Sequence, residues 1–376
     1  MRKIGLLACA LLFCAVASLH ASSFTVYAMT GSVRFRTQAG EQLQVGVNGT
    51  FGDGVTIRTY RDSSVSFTGD GHYYRVYSSS LVKVESEPSL LYGKISGSVD
   101  EQFVDLHFYY LPAPAQGKTM KVVVRSSTRA VEVRSFLSSE SGGTRELTMY
   151  RIGQGTFRAL TGFDCEAPPI RYMLRISASG DGAGYTRVIY PFYLRETPFP
   201  SGKVTLPPET APLFEPSERK KQETRHLSEV LAHSDPRSLW EGTFSYPLEE
   251  LEVISAFGKR RSYYLGGRRI TVRHHRGIDF RAVQGTPVFA PNNGVVSLAR
   301  KRLSTGNTLV IDHGQGVFSL FFHLDSISVA EGAEVRTGDR IAEAGSTGIA
   351  AGPHLHWGVF VDGTYVDPED WVKRSF

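Results

Sequence analysis

The chain has 376 residues, of which 41% are hydrophobic and 21% charged, and its formal net charge is +5 at neutral pH. This length exceeds what one hydrophobic core ordinarily organises, so we expect about two to four domains. Three cysteines, two of them within the first 14 residues, exclude a disulfide-rich scaffold and a cysteine-rich zinc site.

The N-terminal segment has the parts of a secretory signal. Arg2 and Lys3 precede an apolar run over residues 4–19, and small and polar residues follow it. This pattern predicts a signal peptide over residues 1–21 and an exported protein of the periplasm or cell envelope. The sequence leaves two alternatives open, an uncleaved anchor and lipidation at Cys9, although the apolar run is short for a full membrane span.

Removal of the signal segment would change the charge and the cysteine content. It would delete two basic residues and no acidic one, which lowers the formal charge from +5 to +3. Cys165 would then be the only cysteine. No other stretch is long and apolar enough to cross a bilayer, so we expect no stable membrane span after cleavage.

Residues 22–100 alternate short runs of β-forming residues with Gly/Asp turns. Val33 and Phe35 alternate with Arg34 and Arg36, and this period of two predicts half-buried strands. The pattern "GSVRF…GVTIRT…DSSVSF…SSSLVKV" also resembles the FecR-type periplasmic β-domain. The resemblance implies a β-domain without an enzymatic role.

Residues 101–200 contain further strand-like runs, among them "MKVVVRSS", "ELTMYRI" and "IRYMLRISA". Turn residues separate these runs at a spacing that is typical of an immunoglobulin-like β-sandwich. Histidines and acids are scattered here without a catalytic cluster. We expect envelope proteins to be partners of these N-terminal β-domains.

Residues 201–236 are proline-rich at first and then highly charged. Leu227, Val230 and Leu231 have helical spacing, and Ser217 is a suitable N-cap, so we interpret this segment as a linker with one short helix. From residue 237 onward β-rich runs return without a long helical pattern. The predicted fold is therefore mainly β and multidomain, with a short helical linker.

The strongest chemical signal is a concentration of histidines. Six of the 11 histidines fall between positions 274 and 356. Histidine with carboxylate is the donor set of a catalytic zinc site, which uses three protein ligands and leaves one position open. His275 and Asp279 would be about 13 Å apart on an ideal strand, so a shared ion requires His275 on a bend before the strand. Gly277 would supply the backbone freedom for that bend.

Three further histidines have more than one interpretation. On a strand, His354 and His356 share a face about 6.5–7 Å apart, which suits one metal ligand beside one proton-transferring group, but also two core histidines. His323 follows an apolar run and is as compatible with a structural role as with a catalytic one. His313 lies beside Asp312 in a Gly-rich segment and is expected to shape a turn.

The blocks "FGKRR", "HHRGIDF", "GTPVFAP", "FFHLDS" and "GPHLHWG" occur in this order, and together they closely resemble the lysostaphin-type (LytM-like) zinc metallopeptidases. The resemblance covers about residues 240–370. It implies an antiparallel-β metallopeptidase domain over residues 237–376 that binds one Zn²⁺ and hydrolyses peptide bonds of bacterial peptidoglycan. One departure is Phe321, where the family often has tyrosine.

The resemblance also implies which residues form the site. None of them is substituted in this sequence. They are three metal ligands, His275, Asp279 and His356, and two catalytic histidines, His323 and His354.

A basic run precedes and overlaps the first histidine block. Seven cations fall within 18 residues: Lys259, Arg260, Arg261, Arg268, Arg269, Arg273 and Arg276. The ordinary interpretation is a solvated hairpin. The functional hypothesis is that some of these side chains bind stem-peptide carboxylates. Nucleic acid is not an expected partner, because the protein is predicted to be exported and has no P-loop or recognised nucleic-acid-binding module.

Two functional classes remain open at this point. The first is a zinc endopeptidase of peptidoglycan. The second is a catalytically silent or autoinhibited envelope protein that binds peptidoglycan and activates another cell-wall hydrolase. The sequence selects neither a glycine bridge nor a D-Ala to diamino-acid crosslink as the bond.

Overall fold

The computed structural model describes residues 23–85, 88–98, 106–111, 113–126, 130–180, 184–213 and 215–376. The predicted signal peptide lies outside the described residues. Within the described ranges, no helix is long and apolar enough to cross a membrane. The chain divides into two compact units, Met1–Glu101 and Gln102–Phe376.

Among the described residues, the first unit contains nine strands. They are β1 (Ser23–Thr30), β2 (Val33–Arg36), β3 (Gln42–Leu43), β4 (Thr50–Gly52), β5 (Val55–Thr59), β6 (Ser64–Gly69), β7 (His72–Val76), β8 (Leu81–Val84) and β9 (Pro88–Ser98). All their pairings are antiparallel, and β9 pairs with both β7 and β8. Phe35 is buried between exposed Arg34 and Arg36, so the predicted alternation is confirmed. The FecR-type assignment stays a prediction.

The second unit begins with strands from two antiparallel sheets. They are β10 (His107–Leu111), β11 (Thr119–Arg125), β12 (Ala130–Ser139), β13 (Thr144–Leu147), β14 (Tyr150–Gly153), β15 (Thr156–Gly162), β16 (Arg171–Gly180) and β17 (Tyr185–Tyr193). One sheet has the order β10-β11-β15-β14, and the other includes β13-β12-β16-β17. Both contribute to one core, in which Met120 and Val122 meet Leu174 and Ile176. The immunoglobulin-like topology stays a prediction.

The segment predicted as a linker contains more structure than a linker. It has strand β18 (Ser201–Leu206), a 3-10 turn (Pro208–Leu213) and helix α1 (Glu218–Ala232). The predicted N-cap is present, because the Ser217 hydroxyl accepts a hydrogen bond from the Lys220 amide at 3.3 Å. Leu227, Val230 and Leu231 pack against a buried cluster from three strands of the C-terminal part.

Residues from 253 onward form one large antiparallel sheet, two small sheets and a terminal helix. The strands are β19 (Val253–Ser255), β20 (Arg260–Leu265), β21 (Arg268–His274), β22 (Ile278–Arg281), β23 (Pro287–Phe289), β24 (Gly294–Arg302), β25 (Gly306–Gly314), β26 (Val317–Leu324), β27 (Ser326–Ile327), β28 (Glu334–Val335), β29 (Arg340–Glu343), β30 (His354–Val361) and β31 (Thr364–Val366), and the helix is α2 (Pro368–Lys373). The large sheet has the order β19-β22-β30-β26-β25-β24-β28, with β31 on β30. The mainly β, multidomain prediction is confirmed.

Strand β18 joins the C-terminal part through backbone pairing. It lies parallel to β20, which pairs with β21 in an antiparallel hairpin. The segment 201–236 therefore forms one side of a three-stranded sheet as well as a helix. The sequence did not predict this strand, because a short polar strand between prolines has no amphipathic pattern that would reveal its distant partner.

The sandwich and the C-terminal part of the second unit share a buried contact around Arg158. Its guanidinium donates to Gln315 Oε1 at 3.0 Å and to the backbone oxygen of Phe376 at 3.1 Å. Its Cζ also lies 4.6 Å from the centre of the Trp240 ring. Burial lowers the pKa of this side chain, so the contacts must compensate for the desolvation of the cation.

Replacement of Arg158 by Ala should lower the free energy of unfolding by about 2–4 kcal/mol, because the buried acceptors lose a charged donor. Urea denaturation followed by tryptophan fluorescence would measure the change. Arg151→Ala is the matched control, since Arg151 is exposed and its Cζ lies 4.7 Å from the Phe157 ring centre. We expect at most about 1 kcal/mol from the control, and equal losses in the two variants would contradict the interpretation.

Candidate active site

Three neighbouring strands of the large sheet place the predicted site residues together. Strand β22 pairs with β30 so that Asp279 is directly opposite His356. His275 lies in the short connection between β21 and β22, as the bend argument predicted. The three side chains offer ligand atoms that all lie within 4.8 Å of one another.

The closest atoms of these three side chains form a small triangle. His275 Nε2 lies 3.0 Å from Asp279 Oδ1 and 3.0 Å from His356 Nδ1, and His356 Nδ1 lies 2.8 Å from Asp279 Oδ1. The other nitrogen of His275, Nδ1, lies 2.9 Å from the Ala256 carbonyl oxygen, to which it donates its proton. The Nε2 of neutral His275 therefore presents a lone pair to two other electron-pair donors, an arrangement that a shared cation stabilises.

Burial sets the protonation of this group. It lowers the pKa of His275 to about 4 and also lowers the pKa of His356, so both imidazoles are neutral near pH 7. Burial opposes ionisation of Asp279, yet the contacts with the two histidines hold the pKa of its carboxyl well below the usual value. Two neutral imidazoles and one carboxylate are the ligand forms that bind zinc.

The donor set therefore fits a zinc ion on chemical and geometric grounds. Tetrahedral zinc with bonds of about 2.0–2.1 Å to nitrogen and oxygen separates its ligand atoms by about 3.4 Å, close to the sides of this triangle. The second nitrogen of His356, Nε2, is buried without a hydrogen-bond partner among the described residues. The Phe322 ring stacks on the His356 ring at 4.8 Å between centres and 3° between planes, which fixes its orientation.

Arg261 is part of the site, although nothing in the basic run distinguishes it from the other cations. Its guanidinium donates a hydrogen bond to Asp279 Oδ2, and its side chain is 12% exposed. This contact occupies one carboxylate oxygen and leaves Oδ1 toward the two histidines. Arg261 lies on β20, and its pairing with Asp279 depends on how the hairpin folds over the large sheet.

His354 lies beside the triangle on the same face of β30 as His356. Its Nε2 is 3.8 Å from Asp279 Oδ1, and its Nδ1 donates to the Gly352 carbonyl oxygen at 2.8 Å. When the ring is neutral, its lone pair is therefore on Nε2. The structure brings His354 together with the three candidate ligands, as the spacing predicted.

His323 also joins the site, through an irregularity in β26. The pairing of β25 with β26 shifts register between Phe321 and Leu324, and His323 has a φ of 61°. A bulge of this kind redirects a side chain that a regular strand would place elsewhere. The His323 ring lies 5.0 Å from the His354 ring, and its Nδ1 donates to the Thr347 carbonyl oxygen at 2.8 Å.

The environment of His323 keeps its imidazole neutral. Burial lowers its pKa to about 3, and repulsion by His354 and His356 adds to the effect. Phe321, two positions earlier, is completely buried in the hydrophobic core. Phe321 therefore lacks a hydroxyl group at a position that belongs to the hydrophobic core.

Gly277 is needed for a reason other than the predicted backbone freedom. It does not have a positive φ. A Cβ on Gly277 would lie 2.6 Å from His356 Nε2 and 2.5 Å from the Trp357 carbonyl oxygen. The glycine therefore leaves room for the His356 ring.

His313 has a structural role behind the site. It is completely buried, its Nδ1 donates to the Asn293 carbonyl oxygen at 2.7 Å, and the Ser319 hydroxyl contacts its Nε2 at 2.9 Å. The same hydroxyl oxygen accepts a hydrogen bond from Trp357 Nε1 at 3.3 Å. His313 thus supports β30 next to His356, instead of only shaping the turn that follows it.

Comparison with known proteins assigns the part of the chain that contains this site. Residues 273–368 match the model of peptidase family M23. These residues form a peptidase M23 domain. The predicted resemblance to lysostaphin-type metallopeptidases is thereby confirmed.

Individual relatives agree with this assignment. An uncharacterized metalloprotease of Haemophilus influenzae is 38% identical over 133 residues, which are 35% of this chain and 27% of that protein. The peptidoglycan DD-endopeptidase ShyB of Vibrio cholerae is 38% identical over 124 residues, 32% of this chain and 28% of that protein. The chain thus spans little more than a quarter of the length of these curated relatives.

A solved structure assigned to peptidase M23 from Pseudomonas aeruginosa has a similar fold beyond the M23 domain. The similarity covers 70% of this chain and 96% of that chain, with a TM-score of 0.50 and 22% sequence identity. At this identity, the comparison shows the fold alone.

Replacement of Gly277 by Ala should weaken zinc binding and lower the free energy of unfolding by about 1–3 kcal/mol, because the new methyl group displaces the His356 ring. Zinc titration with a chromophoric competitor and urea denaturation would measure the two effects. Gly352→Ala is the control, since a Cβ there meets no atom within 4 Å. Unchanged zinc affinity in Gly277→Ala would disprove the steric argument.

The burial of His313 should make the stability of the protein depend on pH. Burial lowers its pKa in the folded state to about 4, so the unfolded chain binds a proton that the folded chain does not as pH falls below about 6.5. The free energy of unfolding should therefore decrease with falling pH in this window, by about 2 kcal/mol between pH 7.5 and pH 5 from this residue.

The His313→Gln variant separates this effect from that of the site histidines. His275, His323 and His356 have lowered pKa values in both proteins and contribute with the same sign. Urea denaturation at several pH values should show a shallower pH dependence in the variant. An identical slope would show that His313 does not titrate between pH 4 and pH 7.

Proposed function

We propose that this chain is a zinc-dependent endopeptidase that hydrolyses peptide crosslinks or stem peptides of bacterial peptidoglycan during cell-wall remodelling, in the periplasm or cell envelope. The main support is the convergence of His275, Asp279 and His356 on one point, with two further histidines beside it, inside a peptidase M23 domain. The name of the relative ShyB supports peptidoglycan as the substrate.

The proposed metal ligands are His275 Nε2, Asp279 Oδ1 and His356 Nδ1. When bound, zinc supplies Lewis acidity that polarises a scissile carbonyl and lowers the pKa of water. Arg261 holds the second oxygen of Asp279 and so keeps Oδ1 directed toward the two histidines.

His354 and His323 are the proposed catalytic histidines. Each donates its Nδ1 proton to a backbone carbonyl, so each neutral ring offers Nε2 as the proton acceptor. A ring that accepts the proton of the attacking water becomes a cation, which can stabilise the oxyanion and return the proton to the leaving amine. Their fixed rings, 5.0 Å apart, allow both to act on one substrate.

Among peptidoglycan bonds, we propose a D-Ala to diamino-acid crosslink in preference to a glycine bridge. The support is the relative ShyB, a peptidoglycan DD-endopeptidase, which shares 38% identity with this chain over 124 residues. The β-domains proposed over residues 22–100 and 101–200 would have non-catalytic roles, such as binding envelope partners. A catalytically silent activator is not favoured, because the proposed ligands and both catalytic histidines are present.

The His356→Ala variant tests the proposal. Purified zinc-loaded full-length protein should release crosslink-derived fragments from peptidoglycan, identified by mass spectrometry, and the variant should lose this activity and bound zinc. The reason is that two ligands hold zinc far more weakly than three. His274→Gln is the matched control, because His274 contacts the Gly258 carbonyl oxygen through Nδ1 and lies outside the triangle.

Two outcomes would contradict the proposal. Full hydrolysis by His356→Ala would remove this residue from the metal site. Bound zinc without hydrolysis in the parent protein would favour the silent activator.

A further inference from the structure

We infer that Lys259 and Arg273 form a carboxylate-binding subsite beside the metal centre, so that the preferred substrate is a peptide with a free carboxylate near the scissile bond. The inference rests on the proposed function and specifies which peptides the site selects. Lys259 and Arg273 are two of the seven cations of the basic run.

The cleft over the candidate metal centre has a strong excess of positive charge. Its volume is about 920 Å³. Two acidic residues, Glu166 and Asp279, line it. Six basic residues also line it, namely Lys203, Lys259, Arg261, Arg273, Arg276 and Arg302. A cleft of one predominant charge concentrates substrates of the opposite charge.

The geometry of the β20–β21 hairpin explains which cations face the cleft. Lys259 lies immediately before β20 and Arg261 lies on it, and both line the cleft. Arg273 is the cross-strand partner of Arg261 and lies on the same face of the hairpin. Arg261 contacts Asp279, which identifies this face as the one toward the metal centre. Arg260, Arg268 and Arg269 do not line the cleft.

Most of the cleft cations already have partners. Arg261 binds Asp279, and Arg276 lies 3.7 Å from the Asp164 carboxylate. Arg302 donates to the Glu223 carbonyl oxygen at 3.1 Å, and Lys203 lies over the Tyr264 ring.

Lys259 and Arg273 differ from these cations. Among the residues that the structure describes, no hydrogen bond or ion pair engages either side chain. Arg273 also lies directly opposite Arg261, and like charges in cross-strand positions repel each other. An added carboxylate would relieve this repulsion.

Lys259 is held close to the metal centre by its backbone and by β18. Its carbonyl oxygen accepts a hydrogen bond from the amide of His275 at 3.0 Å. Its side chain lies against Gly202, where a Cβ would be 2.7 Å from Lys259 Cε and 3.3 Å from Nζ. Lys259 therefore lines the cleft, and its backbone is bound to that of a proposed metal ligand.

These two cations suit a carboxylate in chemistry and position. The ammonium of Lys259, just before β20, and the guanidinium of Arg273, on β21, offer charge-assisted donors. Crosslinked stem peptides whose diamino acid has a second carboxyl group carry a free carboxylate there, so they meet this requirement, whereas uncharged glycine bridges do not.

Two synthetic muropeptide dimers test the inference. They are identical except that the diamino-acid carboxylates are free in one and converted to carboxamides in the other. Binding to zinc-loaded full-length protein with His354→Ala, which prevents turnover, is measured by calorimetry. We expect the carboxylate form to bind about 10- to 100-fold more tightly, as charge-assisted hydrogen bonds allow.

Variants assign the preference to the two cations. Lys259→Gln with Arg273→Gln should reduce affinity for the carboxylate form to that for the carboxamide form. Arg268→Gln with Arg269→Gln, on the same hairpin but away from the cleft, should leave the preference unchanged. Gly202→Ala, which keeps both charges but displaces the Lys259 side chain, should reduce the preference in part.

The outcomes separate this inference from the proposed function. Equal affinity for the two dimers, or an equal loss for both in the double variant, would overturn the carboxylate subsite. Cleavage of the carboxylate dimer by protein with His354 intact tests the enzyme itself. Discrimination in binding without such cleavage would retain the subsite and reject the endopeptidase.

Discussion

The pairing of β22 with β30 is the constraint on which the site depends. It places Asp279 directly opposite His356, and the alternation of β30 then puts His354 on the same face. Leu355 and Trp357 occupy the other positions of the strand and are completely buried in the core. A register slip of one residue would exchange these two sets and place the histidines in the core. Core packing and the metal centre therefore specify the same register.

Regular strands alone would not complete the site, because two histidines come from irregular backbone. His275 lies in the connection that turns from the hairpin into β22, and His323 lies at a bulge with positive φ. Each ring is held by a hydrogen bond from Nδ1 to a backbone carbonyl. The regular pairing of β22 with β30 thus positions three residues of the site, and irregular backbone adds two more.

The sequence was informative where chemistry depends on local spacing. The spacing of His354 and His356 predicted a shared strand face, and the distance between His275 and Asp279 on an ideal strand predicted a bend. Arg261 and β18 were not identifiable in this way. The contact of Arg261 with Asp279 depends on how a hairpin folds over a sheet, and β18 pairs with β20, which is more than 50 residues later. Such partners leave no periodic signal in their own segments.

The charge balance of the site connects the metal centre with the cleft. Asp279 is the only carboxylate among the three candidate ligands, and Arg261 neutralises it. A divalent cation bound there would keep most of its charge, because neutral imidazoles supply the other two ligands. An electropositive centre next to Lys259 and Arg273 disfavours cationic peptides and favours anionic ones. The contact of Arg261 with the candidate ligand Asp279 would therefore also contribute to substrate selection.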